Sequence, residues 1–157
     1  MARVNPPLRT QRDVDAIMEG LRDGTIDAIA TDHAPHSAEE KARPLSDAPS
    51  GMVGLETALG VTLTALYHTG RMSLSDLLAK LTIQPARILR IPKGRLGLGT
   101  DADLVLFDPD EEWTVEPDRF ASMGRNTPFA GQTLRGKVKY TVVNGKIVYQ
   151  EEAAHVL

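Results

Sequence analysis

The chain has 157 residues and no cysteine, and its 18 lysine and arginine residues against 21 aspartate and glutamate residues give a formal net charge of −3. An apolar content of 41% and a charged content of 25% are typical of one globular domain. The composition excludes a disulfide scaffold, a cysteine zinc site and a basic nucleic-acid surface. No apolar run approaches the roughly 20 residues of a membrane span or resembles a signal peptide, so we expect a cytoplasmic protein.

The first predicted elements are a helix and a buried strand. Thr10 and Asp13 form a capping pattern before apolar residues at helical spacing, which predicts a helix over residues 11–22 that stops at Gly24. The short apolar run Ile26–Thr31 predicts a strand buried on both faces. A helix followed by such a strand is half of an α/β unit.

A long polar loop and three helices follow. Residues 32–54 have little periodicity and predict a loop with one helical turn at Ala38–Lys41. The predicted helices are residues 55–69, a helix capped by Ser73, and a short helix that starts at Pro85 with Gln84 as its cap.

The composition changes near residue 93 and becomes typical of β structure. Ala102–Phe107 predicts a strand that ends at Asp108-Pro109, and Trp113–Val115 predicts another. Asn144-Gly145 lies between two β-rich runs, Lys137–Val143 and Lys146–Gln150, and predicts a hairpin with a type I′ turn.

We therefore expect two parts, an α/β part over residues 1–93 and a small β part over residues 94–157. A (β/α)₈ barrel takes roughly 250 residues, which this chain does not have.

Catalytic residue types concentrate in one segment, Thr31–His36, where the predicted strand ends. A carboxylate can bind a metal or move a proton there, and so can an imidazole. A purely structural interpretation also stands, because an Asp-His pair after a strand often forms a turn with a solvated or hydrogen-bonded histidine. Two histidines and an aspartate within five residues favour the functional interpretation.

A zinc site contained within this chain is not expected. Catalytic zinc takes about three protein ligands, whereas the four histidines are His33, His36, His68 and His155, with no His-x-His pair. We expect His68 at the surface near a helix end and His155 in a disordered tail. Asp32 can supply one ligand to a site that something else completes.

Five segments resemble the dihydroorotase family of the amidohydrolase superfamily. Three of them, Val4–Arg9, Thr31–His36 and Ala48–Thr57, resemble in order the "NPPLR", eighth-strand and "APFGxxGLET" motifs of the bacterial class I dihydroorotases. Gln84–Ile88 and Gly97–Asp108 resemble segments that the wider superfamily shares.

The resemblance implies the C-terminal part of a metal-dependent α/β barrel, with its last strand and helices, plus part of a small β-sandwich. It implies a zinc enzyme, with one or two ions, that interconverts N-carbamoyl-L-aspartate and L-dihydroorotate in pyrimidine biosynthesis. The family's His-x-His-x-Arg motif and bridging carboxylate have no counterpart here. We therefore expect the N-terminal half elsewhere and this chain inactive alone.

The resemblance also implies roles for site residues. Asp32 would bind metal and carry the proton between the hydrolytic water and the amide nitrogen, while His33 would support the site without binding metal. The residues implied to contact substrate are Asn5, His36, Ser50 and Gly51. Ser50 stands where the family often has phenylalanine. The serine places a hydroxyl group where the phenylalanine would form an apolar wall.

Two alternatives stay open. One is a non-catalytic dihydroorotase-like partner of aspartate carbamoyltransferase, which the presence of Asp32, His36 and Asn5 together disfavours. The other is a hydantoinase-type cyclic amidase, which Ala34-Pro35-His36 disfavours. The expected partners are a small-molecule substrate, the missing N-terminal half, and either aspartate carbamoyltransferase or a second copy; nucleic acid and membranes are not expected.

Overall fold

The computed structural model describes residues 3–151, so His155 and the end of the predicted β part lie outside the described residues. Its elements in chain order are α1 (Gln11–Asp23), α2 (Ala38–Lys41), α3 (Ala58–Thr62), a π-helical turn (Leu63–Tyr67), α4 (Leu74–Leu81), α5 (Ile83–Leu89), β1 (Leu104–Thr114), a 3-10 turn (Pro117–Arg119), β2 (Thr133–Val143) and β3 (Lys146–Gln150). The three strands form one antiparallel sheet in the order β1-β2-β3. None of the helices between residues 3 and 151 is long and apolar enough to cross a membrane.

Helix α1 has the predicted ends. The Asp13 carboxylate accepts hydrogen bonds from the Thr10 amide at 3.0 Å and the Thr10 hydroxyl at 2.7 Å. Gly24 follows in the left-handed conformation, with φ of 88°, where a side chain would be strained. Ser73 caps α4 as predicted, because its hydroxyl accepts a 3.1 Å hydrogen bond from the Asp76 amide.

Two predicted helix starts are wrong. Helix α5 begins at Ile83 after Thr82, so Pro85 is its third residue and Gln84 is not the cap. Proline fits there because amides of the first helical turn have no intrahelical acceptor. The helix predicted from residue 55 begins at Ala58, after a turn over residues 55–57. The Gly54 and Leu55 amides, which precede it, point to the His33 ring.

The strand predicted at Ile26–Thr31 has no strand ladder within the described residues. Its backbone is held in part by helix α4, where the carbonyl oxygen of Lys80 accepts a 3.0 Å hydrogen bond from the Ile29 amide. One parallel bridge joins His33 to Met52 just beyond it. The prediction fails here because a strand requires a neighbouring strand, and residues 3–151 place none beside this segment.

Asp108-Pro109 does not end a strand, and the two strands predicted on either side are the single strand β1. The pairing of β1 with β2 shifts register between Asp108 and Glu112. Proline is tolerated at such an irregularity on an edge strand, because its missing amide removes no ladder hydrogen bond there.

The predicted hairpin is confirmed. Asn144 and Gly145 connect β2 to β3 with φ angles of 50° and 74°. Positive φ at both central residues defines the type I′ turn, whose twist matches that of the flanking strands.

Two apolar clusters form the core. The first lies among the helices and contains Leu21, Leu63, Leu66, Met72 and Leu77. The second joins the segment before α3 to the region around the sheet and contains Val53, Val115, Phe120 and Leu134. Packing thus crosses residue 93, and the domain boundary there stays a prediction.

His68 is only partly exposed, whereas its place near a helix end predicted a surface residue. It is half-buried, and its Nε2 atom lies 2.8 Å from the carbonyl oxygen of Pro109 in β1. Its ring therefore links the helical part to the sheet.

Candidate active site

Asp32 presents an exposed carboxylate directly after the segment 26–31. Its φ of 45° is in the left-handed region, which aspartate tolerates better than most residues. The carboxylate has no hydrogen bond or ion pair with any other residue in the described part of the chain. Both oxygens are therefore available to a ligand or a proton.

His33 points its ring into the protein. Its Nδ1 accepts a 3.1 Å hydrogen bond from the Gly54 amide, so the neutral ring carries its proton on Nε2, which lies 3.5 Å from the Ser122 hydroxyl. The Glu56 carboxylate in turn accepts hydrogen bonds from the Ala121 amide at 2.8 Å and the Ser122 amide at 3.1 Å. His33 is thus fixed by the backbone, with no free lone pair on Nδ1 for a metal.

His36 lies against the loop that contains Ser50. Its Nε2 is 3.1 Å from the Ser50 carbonyl oxygen, and because a carbonyl only accepts, Nε2 is the donor. Its Nδ1 is 3.9 Å from a carboxylate oxygen of Glu40. Hydrogen bonds from the Ser37 amide and hydroxyl lower the pKa of Glu40, so this carboxylate stays negative beside the ring.

Gly51 occupies a position that only glycine fits. Its φ is +138°, and a Cβ atom there would lie 2.5 Å from the Cβ of Ala34 and 3.1 Å from Nε2 of His36. Its amide donates a 3.0 Å hydrogen bond to the Arg3 carbonyl oxygen. The absence of a side chain lets the loop approach the Asp-His segment.

Asn5 follows Arg3 on the N-terminal segment, which is fastened to this loop. The Arg3 carbonyl oxygen accepts hydrogen bonds from the Gly51 amide and from Nζ of Lys41. Asn5 itself is exposed and is joined to Pro6 by a cis peptide bond. The Ser50 side chain is exposed as well.

The structure therefore brings together the three segments that the sequence singled out. Residues 33–34 run parallel to Met52, whose carbonyl oxygen accepts a 2.9 Å hydrogen bond from the Ala34 amide. Sequence reasoning missed the residues that fasten them: Lys41, Glu56, Ser122 and Asn126. Lys41, Ser122 and Asn126 lie outside the motifs, and the sequence does not indicate the residues that they contact. Glu56 lies within the Ala48–Thr57 motif, but its bonds to the Ala121 and Ser122 amides are evident only in the folded chain.

A complete metal site is not formed by these residues. No group of three or more histidine, aspartate or glutamate side chains between residues 3 and 151 can hold a metal ion. The Asp32 carboxylate fits as one ligand, whereas His33 Nδ1 and His36 Nε2 are hydrogen-bonded to the backbone. Since catalytic zinc takes about three protein ligands, the other ligands would have to come from outside these residues.

Sequence comparison shows that the chain is similar to curated dihydroorotases. It is 53% identical over 152 residues to that of Anaplasma phagocytophilum and 52% identical over 151 residues to that of Clostridium acetobutylicum. These alignments cover 97% and 96% of this chain but 34% and 36% of the relatives. The chain thus spans about a third of the length of the curated relatives it matches.

Solved structures of hydantoinases share the fold. L-Hydantoinase (dihydropyrimidinase) from Arthrobacter aurescens matches with a TM-score of 0.89 and 34% identity, covering 98% of this chain and 35% of that chain. D-Hydantoinase (dihydropyrimidinase) from Thermus sp. matches with a TM-score of 0.87 and 26% identity, covering 95% of this chain and 34% of that one. The expected fold class, the C-terminal part of an amidohydrolase barrel plus part of a small β-sandwich, is confirmed, and the described residues contribute one small antiparallel sheet to it. Because the profile of the Amidohydrolase family matches residues 3–148, the chain belongs to the amidohydrolase family.

Proposed function

We propose that the chain is the C-terminal portion of a zinc-dependent dihydroorotase, which interconverts N-carbamoyl-L-aspartate and L-dihydroorotate in pyrimidine biosynthesis. The observation that carries this proposal is the identity of 52–53% with dihydroorotases over nearly the whole chain. The carboxylate of Asp32 has no partner among the described residues, and it lies next to a segment that is hydrogen-bonded to the loop containing Gly51. It is therefore available to transfer a proton in this reaction.

Ring opening of a cyclic amide requires water to attack the carbonyl carbon, the C–N bond to break, and a proton to reach the leaving nitrogen. In this proposal an Asp32 oxygen accepts the proton of the attacking water and then donates it to the ring nitrogen. General acid–base catalysis of this kind contributes about 10²–10⁴-fold. The carboxylate suits the task because no other described side chain occupies its oxygens.

In this proposal the substrate is bound by residues of the N-terminal segment, the segment Thr31–His36 and the loop that contains Ser50 and Gly51. The Gly51 amide and carbonyl are already hydrogen-bonded within the protein, so Gly51 contributes a flat surface rather than a hydrogen bond. The Asn5 amide and the Ser50 hydroxyl are exposed and available to polar atoms of the substrate. The His36 ring, fixed through Nε2, presents its Nδ1 edge beside Glu40.

Zinc, when bound, would supply Lewis acidity toward the carbonyl group and a more acidic water. This chain offers Asp32 as a ligand, and His33 orients the segment without binding metal. The remaining ligands belong to the N-terminal half in this proposal. A cytoplasmic location and a complex with aspartate carbamoyltransferase or a second copy are further proposals.

A chimera tests the function. The chain replaces the 36% of Clostridium acetobutylicum dihydroorotase that it matches, and conversion of dihydroorotate is measured with zinc present. We expect turnover by the chimera, at the rates of about 1–1000 per second that enzymes usually reach, and none by the 157-residue chain alone. A zinc-loaded, folded chimera without turnover would contradict the proposal.

The second candidate is a hydantoinase-type cyclic amidase, favoured by the 34% identity and TM-score of 0.89 with L-hydantoinase. The same chimera discriminates the two when kcat/KM is measured for dihydroorotate and for a 5-substituted hydantoin. A higher value for the hydantoin would favour this candidate.

A further inference from the structure

Asn126 lies between the Asp-His segment, Thr31–His36, and the loop that contains Gly51. It is 2% exposed, and its side-chain amide donates to the Ala34 carbonyl at 3.1 Å and to the Gly51 carbonyl at 3.2 Å. Its Oδ1 accepts a 3.0 Å hydrogen bond from the His36 amide. One buried side chain thus bonds to both the Asp-His segment and the Gly51 loop.

The chain around Asn126 is packed closely against the same loops. The Asn126 carbonyl oxygen accepts a 3.1 Å hydrogen bond from the Val53 amide. A Cβ atom at Gly124 would lie 2.6 Å from the Cβ of Pro35 and 2.9 Å from a methyl carbon of Val53. The backbone around Asn126 is therefore fixed by packing and by a hydrogen bond. Through its hydrogen bonds, the Asn126 side chain in turn holds the two loops at a fixed distance from each other.

Lys41 holds the other side of the Gly51 loop. It is 7% exposed, and its ammonium group donates to three carbonyl oxygens, those of Arg3 at 3.1 Å, Pro49 at 3.0 Å and Gly51 at 2.9 Å. These bonds use all three N–H groups of the ammonium. The lysine thereby joins the N-terminal segment that carries Asn5 to the loop that carries Ser50 and Gly51.

We propose that Asn126 and Lys41 are positioning residues that set the spacing between His36, the Gly51 loop and Asn5, and so set affinity for the cyclic amide. This inference rests on the proposed function. Neither residue contacts Asp32 in the structure, so the proton transfer itself does not depend on them. Removal of Asn126 takes away the donor to the Ala34 carbonyl oxygen, and removal of Lys41 takes away the donor to the Pro49 carbonyl oxygen. The Gly51 carbonyl keeps one of its two donors in either case. Each loss therefore weakens the attachment of one loop to its neighbour.

Kinetics of the chimera test the role. Asn126→Asp keeps the shape but cannot donate to the two carbonyls, and Lys41→Met keeps the length but loses all three donors. We expect each to raise KM for dihydroorotate about tenfold or more, with kcat and zinc content little changed. Lys41→Arg, which retains charge and donors, should recover part of the affinity. Matched controls far from the site are Asn144→Asp, at the hairpin turn, and Lys146→Met, exposed on β3.

Hydrogen exchange followed by mass spectrometry provides a readout that needs no turnover. In the same variants, peptides over residues 34–36 and 49–53 should exchange faster, while the hairpin over residues 137–150 should not change. Unchanged exchange and KM would overturn the inference, as would faster exchange throughout the chain or loss of kcat at constant KM. An inactive chimera that shows the expected local exchange contradicts only the proposed function.

Discussion

The side-chain amide of Asn126 donates a 3.1 Å hydrogen bond to the carbonyl oxygen of Ala34, although the two residues are 92 positions apart. Ala34 stands in the Asp-His segment, and Asn126 lies in the connection between β1 and β2. The candidate site is therefore built jointly by residues on both sides of the predicted boundary at residue 93.

Gly51→Ala should disrupt the site through steric overlap. The new methyl group would lie 2.5 Å from the Cβ of Ala34, at a φ of +138°, and strain of this kind costs about 1–3 kcal/mol. We expect a marked rise in KM of the chimera. Gly131→Ala is the control, because its φ is also positive but no atom lies within 4 Å of the added carbon; equal effects of the two would show that the contact with Ala34 is unimportant.

Asp32→Asn should abolish catalysis by the chimera with only partial loss of zinc. The amide keeps the shape of the side chain but can neither accept the proton of water nor return it to nitrogen, so we expect a loss in kcat of about 10²–10⁴-fold or more. Steady-state kinetics and metal analysis on the same sample measure both effects. A variant that binds zinc and retains most of its turnover would disprove the proton-transfer role.

His36→Ala should act mainly on substrate binding. The ring is held by the Ser50 carbonyl at 3.1 Å, and the substitution would remove the proposed contact with substrate while leaving the Asp32 carboxylate in place. We expect KM to rise by about tenfold, a change near that of one hydrogen bond to a charged group, while kcat changes less. A fall in kcat as large as that of Asp32→Asn would instead place His36 in the chemical step.

Asp103 should make the hairpin region sensitive to acid. The Asn144 amide donates to it at 2.8 Å and the Lys93 ammonium at 2.5 Å, and both lower the pKa of its carboxyl group. Its stabilising contribution is complete above the unfolded pKa of about 3.9 and is lost as the pH falls through the lower folded value. The melting temperatures of the chimera and its Asp103→Asn variant should therefore differ most near pH 7 and converge as the pH falls below the unfolded pKa of about 3.9 and through the lower folded value; a constant difference would contradict the assignment.

The isolated chain should be poorly stable and should self-associate. Residues 26–31 have no strand ladder within the described part of the chain, and α1 exposes 54% of Ile17. Apolar residues on β3 are also exposed, with Ile147 at 62% and Val148 at 61%; open strand edges and wet apolar faces favour association. Size-exclusion chromatography and thermal melting check this. A monodisperse monomer with a cooperative melt above roughly 45 °C would show that the chain closes its own core.

Local signals in the sequence predicted local structure well. The capping pattern of Thr10 and Asp13, the turn at Ala38–Lys41 and the Asn144-Gly145 hairpin are all present. Each depends on residues within a few positions of one another, so the sequence determined them directly. The family was equally accessible, because its motifs are short segments in a fixed order.

Tertiary contacts decided the rest. The segment at Ile26–Thr31 lacks a ladder because pairing depends on a neighbouring strand, and β1 passes through Pro109 because β2 lies alongside it. Asp32, His33 and His36 were evident as candidates from their residue types alone. Lys41 and Asn126 were not, because a lysine or asparagine acquires its role only when folding buries it against carbonyl oxygens that no local pattern connects to it.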